Sequence, residues 1–267
     1  MVRYTVVISA LLLVAGVHHV AARVEHAELK LRMLQGHPVV DGVRVNGHGP
    51  YRFLIDTGTT LNHLDPKLAK SIGLTASFHT DVVSATGHAI APGSEDVEVT
   101  LGELHAASQT FLLAGLESVR QLSPDIQGVL GQAFLSQFDY RLDVRAGRLA
   151  FGTADSAGLR VPFRMVHGRP AVSTSLGWLI LDSGAQRLVL FGVVGEPEDG
   201  SFEMVTMAGA QRVGVVSRQL RIAGKTFWSG DAVGLPLAAE ADVAGLLPIN
   251  LFRAVYVCNS GGYVVLD

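Results

Sequence analysis

The second half of this chain repeats the first, which constrains its fold more than any other feature. Residues 31–40 (LRMLQGHPVV) reappear as residues 163–172 (FRMVHGRPAV), at an offset of 132 residues. Three more landmarks recur in the same order at offsets of 126, 122 and 117: FLIDTGT (53–59) as LILDSGA (179–185), SATG (84–87) as TMAG (206–209), and DIQGVL (125–130) as DVAGLL (242–247). Steadily shrinking offsets indicate a duplication whose second copy has lost loop residues. Two long copies predict two similar units, since solenoids repeat much shorter modules.

The composition favours β-structure in both units. Apolar residues make up 48% of the chain and charged residues 17%, with 30 glycines and 10 prolines. Valine-rich segments alternate with turn residues, as in proteins built from many short strands. Helical periodicity is scarce: residues 66–72 form the clearest candidate, begun by Asp65 and Pro66 and closed by Gly73. Shorter helices are expected at residues 131–137 and, at the equivalent place, 248–253.

The N-terminus has the pattern of a signal peptide. Arg3 precedes an apolar run over residues 6–17, and small residues follow at 20–22. We expect cleavage after Ala22, giving a periplasmic or secreted protein with no stable membrane association; the run is short for a membrane span, and an uncleaved anchor is the alternative. Cys258 is the single cysteine, which excludes an intrachain disulfide and a lipoprotein cysteine after the signal. The net charge of −3 gives no indication of nucleic-acid binding.

The most informative repeated segments are the two that end in an acid, a small hydroxyl residue and a glycine. Each is an apolar run typical of a buried strand, followed by Asp56-Thr57-Gly58 or by Asp182-Ser183-Gly184. One such segment predicts only a β-turn, in which the aspartate caps the turn and the glycine has a positive φ. Because the repeat places both acids in register, the sequence predicts a pair of carboxylates.

Other motifs for catalysis or cofactor binding are incomplete. Residues 223–226 (AGKT) resemble the end of a phosphate-binding loop, but Gln219 stands where its first glycine belongs, so a hairpin turn is predicted. The ten histidines lack close ligand spacing, and no Gly-x-Ser-x-Gly occurs. We therefore predict no metal and no cofactor.

The chain resembles the aspartic proteases, the pepsin and retropepsin superfamily, over nearly all of residues 25–267. The resemblance rests on the two Asp-hydroxyl-Gly loops, on residues 128–131 (GVLG) and on the repeat. In that family an apolar-apolar-Gly segment lies beside the catalytic loop, and Val129-Leu130-Gly131 fits it. The resemblance implies an all-β, bilobal acid-protease fold: two retropepsin-like β-barrel lobes with short helices, at residues 23–155 and 156–267, after a signal peptide at residues 1–22. Two fused lobes complete the site, so a monomer is expected.

The resemblance further implies an aspartic endopeptidase acting on a peptide or protein substrate. Asp56 and Asp182 would form the catalytic dyad, one from each lobe. Carboxyl groups about 3 Å apart cannot both ionise, so they share a proton; one accepts a proton from water while the shared proton goes to the peptide carbonyl. No metal and no covalent intermediate is required.

The same resemblance assigns roles to the neighbouring residues. The hydroxyls of Thr57 and Ser183 would hydrogen-bond across the lobe interface, and Gly58 and Gly184 would let N–H groups approach the carboxylates. A hairpin over residues 83–90 would form a flap that closes over substrate, with an ordinary exposed turn as the alternative. The predicted flap residues are Ser84, Ala85, Thr86 and Gly87.

The two halves differ at two positions that bear on catalysis. Thr59 can hydrogen-bond Asp56 and favour its charged form, but the second half has Ala185 there, so we predict that Asp182 is the more readily protonated acid. Pro248 stands where the first half has Gly131, which brings the geometry around Asp182 into question.

Two alternatives to an aspartic endopeptidase remain open from the sequence. The first is a non-catalytic, secreted β-rich binding protein that keeps the protease fold. The second is a duplicated β-sandwich adhesin or carbohydrate-binding module, which predicts that Asp56 and Asp182 lie far apart.

Overall fold

The computed structural model of the chain describes residues 4–6, 10–11, 26–84, 87–152, 157–194, 196–206, 209–235 and 242–267. Strands dominate these ranges, which confirms the all-β class predicted from composition. The strands of the first half are β1 (Tyr4–Val6), β2 (Ala10–Leu11), β3 (Ala27–Leu34), β4 (His37–Val45), β5 (His48–Ile55), β6 (Asn62–Leu64), β7 (Phe78–Ser84), β8 (Gly87–Leu101), β9 (Leu104–Leu112), β10 (Ile126–Leu130), β11 (Tyr140–Asp143) and β12 (Arg148–Phe151). Those of the second half are β13 (Leu159–Val166), β14 (Arg169–Thr174), β15 (Gly177–Asp182), β16 (Val189–Phe191), β17 (Glu196–Thr206), β18 (Gly209–Ile222), β19 (Lys225–Leu235), β20 (Gly245–Pro248), β21 (Ala254–Cys258) and β22 (Tyr263–Leu266).

Helices are few and short in these ranges: α1 (Pro66–Ser71), α2 (Glu117–Arg120), α3 (Gln132–Leu135) and a 3₁₀ helix (Ile249–Leu251). The prediction for residues 66–72 is confirmed, because α1 begins after Asp65, whose carboxylate accepts hydrogen bonds from two first-turn N–H groups. The helix predicted at residues 131–137 is shorter, as α3. The helix predicted at residues 248–253 is also shorter, a 3₁₀ helix over Ile249–Leu251, because Pro248 still pairs within β20 and few residues remain before β21.

The central strands of the two halves pair in the same way. β5 pairs in parallel with β10, which pairs antiparallel with β6; β15 pairs in parallel with β20, which pairs antiparallel with β16. The registers match residue by residue, as in Leu54–Val129 and its counterpart Ile180–Leu246. Each strand that leads into an Asp-hydroxyl-Gly loop is therefore a buried, central strand.

A six-stranded antiparallel sheet joins the halves. Its order is β3–β12–β11–β21–β22–β13, with three strands from each half. The central pairing, β11 with β21, sets Tyr140 opposite Val257 and Leu142 opposite Val255. Because this sheet is continuous, the two halves are held in one fixed arrangement. The predicted boundary between residues 155 and 156 lies outside the described residues.

The hairpin turn predicted at residues 223–226 is confirmed. Ile222 pairs with Lys225, and both Ala223 and Gly224 have positive φ angles, of 47° and 80°. Two consecutive residues of this kind form the tight turn that suits twisted antiparallel strands. The segment is therefore not a phosphate-binding loop.

Most of the predicted signal peptide lies outside the described residues. Of residues 1–22 only β1 and β2 are described; β1 pairs with β17, and β2 pairs with β7. Where the structure describes the chain, it contains no helix with the length and apolar character needed to cross a bilayer.

An aromatic cluster supports the shared sheet from the first half. The ring of Phe151, on β12, lies 5.4 Å from that of Phe138, 6.2 Å from that of Phe134 and 6.4 Å from that of Tyr140. Only 1% of Phe151 is exposed. The cluster ties α3, which follows Gly131, to strands β11 and β12.

Replacement of Phe151 by alanine should destabilise the whole protein. The lost burial and the cavity left behind should lower the free energy of unfolding by about 3–5 kcal/mol. The control Ile90→Ala removes a side chain that is 73% exposed and should change it by less than about 0.5 kcal/mol. Denaturant titration measures both; equal effects would contradict the assignment of Phe151 to the core.

Candidate active site

The two Asp-hydroxyl-Gly loops meet in the interior, at the ends of β5 and β15. Asp56 and Asp182 are each 0% exposed. The N–H of Thr57 donates to Oγ of Ser183 at 2.9 Å, and the N–H of Ser183 donates to Oγ1 of Thr57 at 2.9 Å. These reciprocal bonds bring together two segments 126 residues apart.

The same hydroxyls also donate to the opposite strand. Thr57 donates to the carbonyl of Leu181 at 2.8 Å, and Ser183 donates to the carbonyl of Ile55 at 2.7 Å. All four bonds are buried, and separating the loops would leave the freed groups without water. This is the contact that the resemblance implied for the two hydroxyls.

Gly58 and Gly184 lie beside the carboxylates, and the structure requires glycine at position 58. The N–H of Gly58 donates to Oδ1 of Asp56 at 2.9 Å, and the N–H of Gly184 donates to Oδ1 of Asp182 at 2.7 Å. A Cβ on Gly58 would lie 2.3 Å from Cγ of Asp182, a distance that no side chain tolerates. Each acid is therefore held by its own loop, and Gly58 packs directly against the acid of the other loop.

The electrostatics of this site are those of two interacting acids. Burial is the main cause that raises the pKa of Asp56 well above its usual value, and the charge of Asp182 raises it further. The Gly58 N–H and the Arg169 guanidinium act in the opposite direction. Oδ2 of Asp56 is buried and accepts no hydrogen bond from a described donor.

These contacts are incompatible with the β-sandwich alternative, which requires the acids to lie far apart. The loops are hydrogen-bonded to each other, and the charge of Asp182 acts directly on Asp56. Paired carboxyl groups of this kind can act as acid and base in one reaction.

The substitution of Gly131 by Pro248 is matched by a second substitution. In the first half the N–H of Gly131 donates to Oδ1 of Asn62 at 3.0 Å. In the second half Pro248 has no N–H, and the position equivalent to Asn62 is Leu188. Donor and acceptor are thus lost together, so neither is left buried and unpaired. Pro248 also pairs with Asp182, as Gly131 lies beside Asp56.

The difference between Thr59 and Ala185 reflects different surroundings. Oγ1 of Thr59 lies 3.4 Å from Nε2 of the buried His63. Ala185 is buried among apolar residues that include Val189 and Val213. The position is therefore polar beside the first loop and apolar beside the second.

The predicted flap lies on a hairpin longer than expected. β7 and β8 are closed by the pair Ser84–Gly87, and the predicted tip residues Ala85 and Thr86 lie outside the described residues. Two residues before this closing pair, Val82 packs in one cluster with Leu61, five residues after Asp56. The closed end of the hairpin thus lies near the first loop.

A corresponding hairpin in the second half was missed from the sequence. β17 and β18 are closed by the pair Thr206–Gly209, and Val213 packs in one cluster with Ala185. The signal was present, because residues 84–87 and 206–209 are repeat landmarks. Each loop therefore has its own neighbouring hairpin.

Further contacts between the halves were also missed. Thr60, four residues after Asp56, donates to the carbonyl of His167 at 2.9 Å. Gln186, four residues after Asp182, donates in the same way to the carbonyl of Gln35. The acceptors are at equivalent positions of the repeated segments 31–40 and 163–172. The turn of each half thus supports the loop of the other.

Two histidines are buried, and one of them, His63, lies beside Thr59 of the first loop. Burial lowers the pKa of His37 to about 4 and that of His63 to about 4. Among the residues that the structure describes, no group of three or more His, Cys, Asp or Glu side chains is placed to hold a metal ion.

Comparison with known proteins gives a related family for the first half. Residues 42–134 match the family described as aspartyl protease, a range that includes Asp56 and Gly131. This match supports the aspartic protease superfamily predicted from the sequence. A retropepsin-like aspartic protease from Rickettsia conorii is similar in structure, with 21% identity, a TM-score of 0.37, and coverage of 48% of this chain and 91% of that chain. No curated protein matches this chain.

Removal of the Thr57 hydroxyl should destabilise the protein strongly. Thr57→Val keeps the side-chain shape but leaves the Ser183 N–H and the Leu181 carbonyl buried and unpaired, at a cost of about 2–4 kcal/mol in the free energy of unfolding. Thr174→Val is the matched control: its hydroxyl also donates to a carbonyl and accepts from an N–H, but at a partly exposed site. Denaturant titration should give a clearly smaller loss for the control; similar losses would contradict a special role for the buried contacts.

Acidification should destabilise the protein through the two buried histidines. Their folded pKa of about 4 lies below the ordinary 6.5, so the unfolded chain binds protons more readily. Stability is complete above pH 6.5 and decreases as the pH falls towards 4. At pH 5 the loss is about 2 kcal/mol per histidine.

Thermal or chemical unfolding at pH 7 and pH 5 tests this expectation. His37→Leu and His63→Leu should each reduce the difference between the two pH values. The exposed His48→Leu serves as the control. An undiminished difference in both buried-site variants would show that other groups cause the acid sensitivity.

Proposed function

We propose that this protein is an aspartic endopeptidase in which Asp56 and Asp182 activate water together. The observation that carries the proposal is the set of reciprocal hydrogen bonds between Thr57 and Ser183, which holds the two acids in one buried site. The family match over residues 42–134 supports a peptide hydrolase.

The proposed reaction uses one ionised and one protonated carboxyl group. Water lies between them and attacks the carbonyl carbon of the scissile peptide bond. The ionised acid takes a proton from the water, and the protonated acid gives its proton to the carbonyl oxygen, which yields a neutral tetrahedral intermediate. The acid that took the water proton then gives it to the leaving nitrogen, and the other, now ionised, acid takes a proton from a hydroxyl of the intermediate as the C–N bond breaks, which gives the amine and carboxylic acid products and restores one ionised and one protonated carboxyl group. Atoms and charges balance without a cofactor.

The substrate is proposed to be a peptide or protein segment bound in extended form. The hairpins β7–β8 and β17–β18, one beside each loop, are suited to cover it from both halves and to exclude water. A cavity of about 280 Å³ opens beside the second loop, lined mainly by polar side chains that include Gln186, Arg187 and Asn250. We propose that this cavity receives a polar substrate side chain.

The proposal also covers the oligomeric state, the location and the working pH of the enzyme. One chain supplies both acids, so a monomer is sufficient for activity. The predicted signal peptide directs the protein to the periplasm or outside the cell. Because buried His37 and His63 disfavour acid, we propose a working range from mildly acidic to neutral pH.

The non-catalytic alternative rested on Pro248, which removes an N–H and adds bulk where the first half has Gly131. The missing N–H leaves no acceptor unpaired, because Leu188 stands where the first half has Asn62. Pro248 also keeps the strand pairing with Asp182. One function is therefore proposed.

Loss of either acid should abolish peptide cleavage. Asp56→Asn and Asp182→Asn, in a protein comprising residues 23–267, should each lower kcat/KM on an unfolded protein or peptide library by at least about 10³-fold, because each removes one partner of the proton transfer. Asp41→Asn changes an exposed surface acid and should retain activity. Absence of cleavage by the unmodified protein between pH 4 and 8 would contradict the proposal, as would full activity in either dyad variant.

A further inference from the structure

Arg169 is a buried charge beside the first loop, supplied by the second half. It begins β14, and only 1% of it is exposed. Its Nη1 donates to the carbonyl of Gly58 at 3.3 Å. The N–H of the same glycine donates to Oδ1 of Asp56. Arg169 therefore contacts the residue that holds the first acid.

The equivalent residue of the first half is uncharged. The repeat aligns Arg169 with His37, which begins β4, is 0% exposed and precedes a proline as Arg169 does. Burial lowers the pKa of His37 to about 4, so it is neutral over most of the proposed working range. The preceding turn residues, Gln35 and His167, accept equivalent hydrogen bonds from the opposite loops. The two positions thus correspond in structure but differ by one positive charge.

This difference acts on the acids because the site is buried. A guanidinium group stays protonated, and a charge pair is weakly screened away from water. Arg169 lowers the pKa of Asp56, against the larger effects of burial and Asp182. Another titratable group beside this loop is His63, whose lowered pKa leaves it neutral.

We propose that Arg169 is a positioning residue of the dyad: it holds the first loop through Gly58 and makes Asp56 the acid that ionises first, leaving the shared proton on Asp182. The assignment of catalytic roles to the two acids rests on the proposed function. In the hydrolysis described above, Asp56 then accepts the proton from water, and Asp182 donates its proton to the carbonyl oxygen.

Titration of each acid alone tests the proposal. Carbon-13 NMR of labelled aspartate follows the Asp56 carboxyl group in Asp182→Asn and the Asp182 carboxyl group in Asp56→Asn, which removes the coupling between them. In the Asp182→Asn protein, the additional change Arg169→Met should raise the pKa of Asp56 by about one unit, a tenfold change in proton affinity. In the Asp56→Asn protein, Arg169→Met should raise the pKa of Asp182 by clearly less.

Two further variants separate charge from structure. Arg169→Lys keeps the charge in a different shape and should restore most of the low pKa of Asp56. His37→Arg adds a charge at the equivalent site and should lower the pKa of Asp182, even if Arg169→Met does not fold. Equal shifts at both acids, or no shift at either, would overturn the proposal.

The titration needs no turnover, so its failure is distinct from that of the proposed function. If the unmodified protein cleaves no peptide but the acids titrate as expected, the ionisation order stands and the protease assignment falls. If it cleaves peptides, Arg169→Met should also move the acidic limb of kcat/KM to higher pH, because Asp56 must be ionised. An unmoved limb in an active variant would overturn the role of Arg169 and leave the protease assignment intact.

Discussion

The rest of the site depends on four buried hydrogen bonds between two loops. The hydroxyls of Thr57 and Ser183 each accept an N–H from the opposite loop and donate to the opposite strand. The central strands β5 and β15 bring the loops to this point, and the six-stranded sheet that joins the halves keeps them there. Two acids that would ionise independently in water are thereby forced to share one environment.

The backbone is close to symmetric at this site, but its side chains are not. Thr59 contacts a histidine, whereas Ala185 contacts valines. Asn62 and Gly131 form a hydrogen bond, whereas the equivalent residues Leu188 and Pro248 have neither its acceptor nor its donor. Arg169 carries a charge where His37 does not. In a duplicated chain each half can change alone, so the two acids can specialise as base and acid.

The repeat was sufficient to predict that Asp56 and Asp182 form a pair, and the resemblance to the aspartic proteases implied the contact between the two loops and the role of Gly58. Neither was sufficient to predict which side chains outside the repeated motifs contact one another in the folded protein. The doubt over Pro248 arose because its compensating partner, Leu188, is not recognisable until the strands pair. The second hairpin had a sequence signal at residues 206–209, but its position beside the second loop follows only from the packing of Val213 with Ala185. The burial of Arg169 against Gly58 is a tertiary contact that neither charge nor periodicity predicts.

The central claim is that Asp56 and Asp182 behave as one coupled site. It is tested most directly by titrating the Asp56 carboxyl carbon by NMR in the unmodified protein and in Asp182→Asn. Since the charge of Asp182 raises the pKa of Asp56, the substitution should lower that pKa by more than about one unit. An Asp56 pKa that is unchanged by the loss of Asp182 would contradict the account.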